Sequence, residues 1–106
     1  MKIVAVTACP TGIAHTYMAA EQLEKAAGKL GHQIRIEIQA AAGTENPLTQ
    51  NEVEQADVVV IAADVPTENE DRFLRAANVA RVPMHVALKD SVAVLAKFER
   101  TVLHGA

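Results

Sequence analysis

The sequence contains no tryptophan, one tyrosine (Tyr17) and two phenylalanines (Phe73, Phe98) among 106 residues. Single-strand nucleic-acid binding, which stacks bases on aromatic faces, has almost nothing to build on. Positive charge is not in excess either: ten Lys and Arg stand against thirteen Asp and Glu, a net −3 with neutral histidines. That balance argues against a phosphate-backbone-binding face, and no nucleic-acid partner is expected. A single cysteine, Cys9, rules out an internal disulfide framework and suits a reducing cytoplasm. No stretch approaches the roughly 20 apolar residues of a membrane helix, so no membrane insertion is expected, and the apolar run at 1–7 is too short for a secretion signal. His32, His85 and His104 lack metal-ligand spacing, and neither a metal nor another cofactor is expected.

What remains is an aliphatic sequence, half of it apolar. Its length fits one domain spanning 1–106. Lys2 to Ala8 is a β-branched, continuously apolar run, the pattern of a strand covered on both faces. A helix follows over about 13–30, with Leu23, Ala26, Ala27 and Leu30 on one stripe and Gly31 as its stop. Residues 32–39 alternate polar and apolar, which predicts a strand with one wetter face at a sheet edge. A flexible loop spans 40–48. Thr49-Gln50-Asn51-Glu52 reads as a capping box opening a short helix to about Gln55, and Thr67-Glu68-Asn69-Glu70 as a second one opening a helix to about Asn78. Between them, 56–63 is the most hydrophobic run and predicts a central strand. Residues 79–88 predict a fourth strand, with Pro83 placing it at the other edge. Asp90-Ser91 caps a last helix with Val92, Leu95, Phe98 and Val102 on one face.

Alternating strands and helices imply an α/β fold: a four-stranded parallel sheet in the order 2-1-3-4, flanked by helices on both faces. The winding direction then reverses between strands 1 and 3, and ligands bind beyond the carboxyl ends of strands at such a point. Cys9 and Asp64 end those two strands. Asp64 reads as a turn or cap residue, and 68–72 as a solvated helix face.

The run Thr7-Ala8-Cys9-Pro10-Thr11-Gly12-Ile13-Ala14-His15-Thr16 carries the chemistry. A thiol in a tight turn opening a helix sits among free backbone N–H groups and near the positive end of the helix dipole. Such a setting lowers a cysteine pKa from about 8.5 to roughly 3.5–7.5. The same N–H groups, from Thr11 through Ile13, Ala14 and His15 to Thr16, are suited to cradle a phosphate, with the Thr11 and Thr16 hydroxyls as further donors. Pro10 stiffens the turn and Gly12 permits its backbone angles. No Lys or Arg lies between Lys2 and Lys25, so an anion here would depend on peptide dipoles and on His15. A nucleophile and an anion site sharing one loop point to a phosphorylated cysteine, Cys9. His15, six positions after Cys9, stands where tyrosine phosphatases carry the Arg that forks onto the phosphoryl oxygens, and imidazole cannot make that clamp. This favours a phosphocysteine that is passed on. The competing readings are a low-molecular-weight-type phosphatase and a non-enzymatic, thiol-based regulatory module.

The chain resembles the fructose-type enzyme IIB component of the bacterial sugar phosphotransferase system (PTS). The likeness is carried by Ile3-Val4-Ala5-Val6-Thr7-Ala8-Cys9-Pro10-Thr11-Gly12-Ile13-Ala14-His15-Thr16-Tyr17-Met18-Ala19-Ala20-Glu21 and continues through 33–39, 46–53 and 56–64, about the first two-thirds. It departs at Ala40-Ala41-Ala42, where the family commonly has Gly-Ser after the glutamine, and at 74–78, which is unlike the family's short Gly-Lys turn. The resemblance implies a fold like that of the low-molecular-weight phosphatases. It implies a protein-phosphocysteine sugar phosphotransferase in which Cys9 takes a phosphoryl group from a phosphohistidine of enzyme IIA. The group then goes to a sugar, fructose or fructose-like, held by the membrane enzyme IIC during uptake. Pro10 to Thr16 would form the loop around the phosphoryl group.

Overall fold

The computed structural model describes residues 1–8, 14–40, 43–68 and 70–103, with only the backbone considered at Arg75, Thr101 and Leu103. The elements in chain order are β1 (Lys2–Ala8), α1 (Ala14–Leu30), β2 (Gln33–Ala40), β3 (Gly43–Glu45), α2 (Gln50–Gln55), β4 (Val58–Ala63), a 3-10 helix (Glu70–Arg75), β5 (Val79–Val82), α3 (Met84–Lys89) and α4 (Ser91–Leu103). They build one sheet in the order β3-β2-β1-β4-β5. β1 pairs in parallel with β2 and β4, and β4 with β5, while β3 runs antiparallel to β2. The expected 2-1-3-4 parallel core is therefore present as β2-β1-β4-β5.

Strand parity divides the interior into two layers. Ile3 and Ala5 of β1 and Val58, Val60 and Ala62 of β4 face α1, α3 and α4, where Leu23, Ala26, Ala27, Met84, Ala87 and Leu95 meet them. Val4, Val6 and Ala8 with Val59, Ile61 and Ala63 face the other way, onto Leu48, Val53 and Phe73. α1 presents Ala19, Ala20, Ala26 and Ala27 around a fully buried Leu23, so small side chains bring the helix close to the sheet. Gly31 ends α1 at φ +78°, its N–H reaching the Gly28 carbonyl at 3.2 Å while the His32 N–H reaches that of Ala27 at 2.9 Å. This pair of bonds closes the helix with a left-handed residue, which glycine adopts without a Cβ penalty.

Five expectations need correction. First, the sheet has five strands: 43–45, read as loop, forms β3, whose three exposed residues carry no apolar pattern to betray it. Second, β2 is consequently not an edge strand along Ile38–Ala40. Third, the fourth parallel strand stops at Val82, because Pro83 caps a helix in which Met84 and Ala87 are buried three residues apart. Fourth, the helix expected over 67–78 is a short 3-10 turn that buries Phe73 in the core, with Ala76, just past its end, packed against the same cluster. Its box is half-formed: the Thr67 N–H donates to Glu70 at 2.7 Å, but the buried Thr67 hydroxyl has no partner among the described residues. Fifth, Val92, expected on the buried face of α4, is 40% exposed and Val94 is buried instead, while Leu95 is buried and Phe98 and Val102 pack against the core as expected. The Thr49 box forms in full, with bonds of 3.1 and 3.0 Å between Thr49 and Glu52.

Candidate functional site

The winding reversal lies between β1 and β4, as expected, and their last residues, Ala8 and Ala63, are register partners. The predicted reaction loop follows Ala8 in sequence. Cys9, Pro10, Thr11, Gly12 and Ile13 fall outside the described residues. The described flanks are Ala8 on one side and the first turn of α1 on the other, where Ala14 and His15 are exposed and Thr16 is fully buried. Two hydroxyls, those of Thr7 and Thr16, are buried here with no partner among the described residues. The first turn of the 17-residue α1 carries no acidic residue, so nothing there opposes an anion. Tyr17 and Met18, 41% and 51% exposed, continue this rim, and the Tyr17 hydroxyl donates to Glu45 of β3. β3 thus ties the sheet edge to the start of α1.

Asp64 does act as a cap. Its Oδ1 accepts the Met84 N–H at 3.0 Å, satisfying the first turn of α3, where Pro83 offers no side-chain acceptor. With Val65, Pro66, Glu70 and Arg81 it lines a shallow depression past the end of β4. Glu70, which accepts from Thr67 and pairs with Arg81, is held below the usual carboxylate range, the Thr67 N–H being the largest cause.

The largest surprise is beneath the rim. Glu37, expected on the wetter face of β2, is 2% exposed. Arg72 grips it in a two-pronged pair at 2.7 and 2.6 Å, so 68–72 is not a merely solvated face. The carboxylate also accepts the Leu48 N–H and the Gln39 side-chain amide, both at 2.8 Å. Burial pushes its pKa up, but the Arg72 pair and the other bonds outweigh burial and hold it below 4.5. Nothing in the alternation of β2 distinguishes this Glu from Arg35. The usable signal is register, which sets Glu37 opposite the fully buried Val6. On the same face, Arg35 pairs with Glu52 at 2.7 Å and, as the largest cause, brings the Glu52 pKa to about 2.

Among the described residues no group of three or more His, Cys, Asp and Glu is placed to hold a metal ion. None of their helices is long and apolar enough to cross a membrane.

Comparison with known proteins decides the family. Residues 4–97 match the family model described as the PTS system, Lactose/Cellobiose specific IIB subunit. The chain belongs to the PTS IIB family. It is 45% identical over 98 residues, 92% of each chain, to the PTS system fructose-like EIIB component 2 of Escherichia coli K12. It is 58% identical to the PTS system fructose-specific EIIB'BC component of Vibrio cholerae over 68% of this IIB chain, but that stretch is only 12% of the longer relative. Among solved structures, the Enzyme IIB subunit of the PTS system from Escherichia coli K12 superposes with a TM-score of 0.90 at 33% identity, covering 97% of this chain and 94% of that one. An arsenate reductase in a phosphate-binding state superposes at TM-score 0.51 and 12% identity over 99% and 98% of the two chains, a likeness of fold alone. The match runs well past the first two-thirds, so the unusual 74–78 segment is a local departure inside a continuous likeness. IIB components are phosphotransferases that carry phosphoryl groups during sugar uptake, and this IIB chain has the fold and family of such a carrier.

Proposed function

We propose that this IIB chain, acting as a single domain in the cytoplasm, accepts its phosphoryl group on Cys9. The thiolate sulfur takes the group from a phosphohistidine of a IIA component, the P–N bond breaking as the S–P bond forms. A hydroxyl oxygen of a sugar held by a membrane IIC component then takes it and gives up its proton to a base or to water, the S–P bond breaks and the thiolate returns. The curated relatives named fructose-like and fructose-specific support fructose or a close analogue as the sugar. The name EIIB'BC, borne by a relative in which B and C portions share one chain, supports IIC as a partner.

The observation that carries the reading is where the chain enters and leaves the loop. Ala8 ends the buried central strand at the winding reversal, and a 17-residue helix with no acid in its first turn begins at Ala14. Pro10, Thr11, Gly12, Ile13, Ala14, His15 and Thr16 are the proposed phosphate cradle. Its donors are main-chain N–H groups, since no Lys or Arg occurs from 3 to 24. With His15 in place of a clamping Arg, transfer to water loses its main stabiliser, so a phosphatase is not favoured.

Incubation with phosphorylated IIA is expected to place one phosphoryl group on Cys9 by mass-spectrometric mapping, and Cys9→Ser to abolish it. Phosphate on His15, or none on the wild-type protein, would overturn the assignment. Inorganic phosphate is expected to slow alkylation of Cys9, which a thiol that serves only as a redox sensor does not require.

A further inference from the structure

The Glu37 cluster is more than a buried ion pair, because of what it ties together. Gln39 is the register partner of Ala8, the residue before Cys9. Its side-chain oxygen accepts the Glu68 N–H at 2.9 Å and its amide donates to the Glu68 carbonyl at 3.4 Å, matching both main-chain groups of one residue. The amide also donates to Glu37, which fixes which end of Gln39 faces which group. Arg72 adds its own bonds to the Leu48 carbonyl at 3.2 Å and the Glu68 carbonyl at 3.5 Å. One carboxylate on β2 therefore organises the segment entering α2, the 3-10 helix and the segment leaving β4. The last of these is pinned at its other end by Asp64 on α3.

Resting on the function proposed above, we propose that Gln39 is a positioning residue for phosphoryl transfer. The Glu37–Arg72 pair orients it, and it holds the 64–68 segment beyond the paired ends of β1 and β4. The physical need is geometric. Transfer between two proteins requires the thiolate, the phosphoryl group and the donor to meet in line, and a misplacement of about 1 Å at such a site costs on the order of 10²-fold in rate. A buried ion pair contributes little net stability over apolar packing of the same volume. Its value here is that bonds converging on one carboxylate and one guanidinium favour a single arrangement of these segments, although the Arg72 Nε has no partner among the described residues.

The test is single-turnover loading of the intact protein from phosphorylated IIA, with the plateau rate and the half-saturating donor concentration read separately. Gln39→Ala is expected to lower the plateau about tenfold or more while moving half-saturation less than threefold, the pattern of lost positioning rather than lost donor binding. Arg72→Lys, which keeps the charge but loses the fork, is expected to lower it in the same sense. Asp57→Ala, which removes the acceptor of the Lys2 N–H at the opposite ends of β1 and β4, is expected to lose stability and keep the wild-type plateau. A Gln39→Ala plateau equal to wild type overturns the inference, as does an equal fall in Asp57→Ala, which would mean that lost stability alone explains the effect. Failure of the wild-type protein to load on Cys9 would instead overturn the proposed function, and this inference with it.

Discussion

Replacing Arg72 by Met tests the buried pair most directly. Glu37 is 2% exposed and Arg72's side chain 13%, so the substitution strands a carboxylate that water reaches poorly. Breaking a buried pair by removing one partner costs about 3–5 kcal/mol. Two of the four bonds to Glu37, from Leu48 and Gln39, survive the substitution and place the expectation near the lower end, about 3 kcal/mol. That is a large part of the roughly 5–15 kcal/mol holding a domain of this size together. It corresponds to a midpoint lowered by roughly 12–24 °C at about 4–8 °C per kcal/mol. The pH dependence gives the sharper signature. In the wild-type protein the Glu37 pKa is depressed, so its contribution is present above the unfolded value of 4.5 and fades as the pH falls through the lower folded value. In Arg72→Met burial acts with its main opponent gone, and the folded pKa is expected to rise above 4.5. The native carboxyl then binds its proton more tightly than the unfolded one, so this contribution shrinks as the pH rises. Urea denaturation between pH 4 and 7 is expected to give opposite Glu37-dependent slopes for the two proteins, and the added change Glu37→Gln is expected to remove the variant's slope. A loss below about 1 kcal/mol, or a variant slope parallel to wild type, would refute the reasoning.

Asp64→Ala deletes the acceptor for the Met84 N–H, and a loss of about 1 kcal/mol in chemical denaturation is expected, with Asp64→Asn losing much less. A loss equal in both variants would count against capping. Glu52→Gln is expected to soften acid destabilisation between pH 4.5 and about 2, the window in which the wild-type Glu52 contribution, held by Arg35 and the Thr49 N–H, disappears. An acid limb unchanged from wild type would show that these bonds contribute nothing measurable.

Much of the molecule was legible because its signals are local and strong. β1 and β4 are uninterrupted aliphatic runs, and such runs belong in the middle of a parallel sheet. The Thr49–Glu52 box and the Gly31 stop were readable because their partners lie within five residues in the chain. Where the reading failed, the competing force was non-local. β3 is three exposed residues that form a strand because the end of β2 offers them a ladder. Pro83 reads locally as an edge-strand residue, but the Met84/Ala87 spacing behind it is helical and Asp64, twenty residues before Met84, supplies the missing cap.

The sequence by itself determined the parallel core, its strand order, the position of the end of β1 at the winding reversal and the kinship with IIB components. Hydrophobic runs, helix boundaries and an uninterrupted motif are all properties of neighbouring residues. Only the tertiary structure decided that Glu37 is buried, that Arg72 is its partner and that Gln39 clasps Glu68. Those contacts join residues 29 to 35 positions apart, and a glutamate in an alternating strand looks the same whether its face meets water or a guanidinium folded over it.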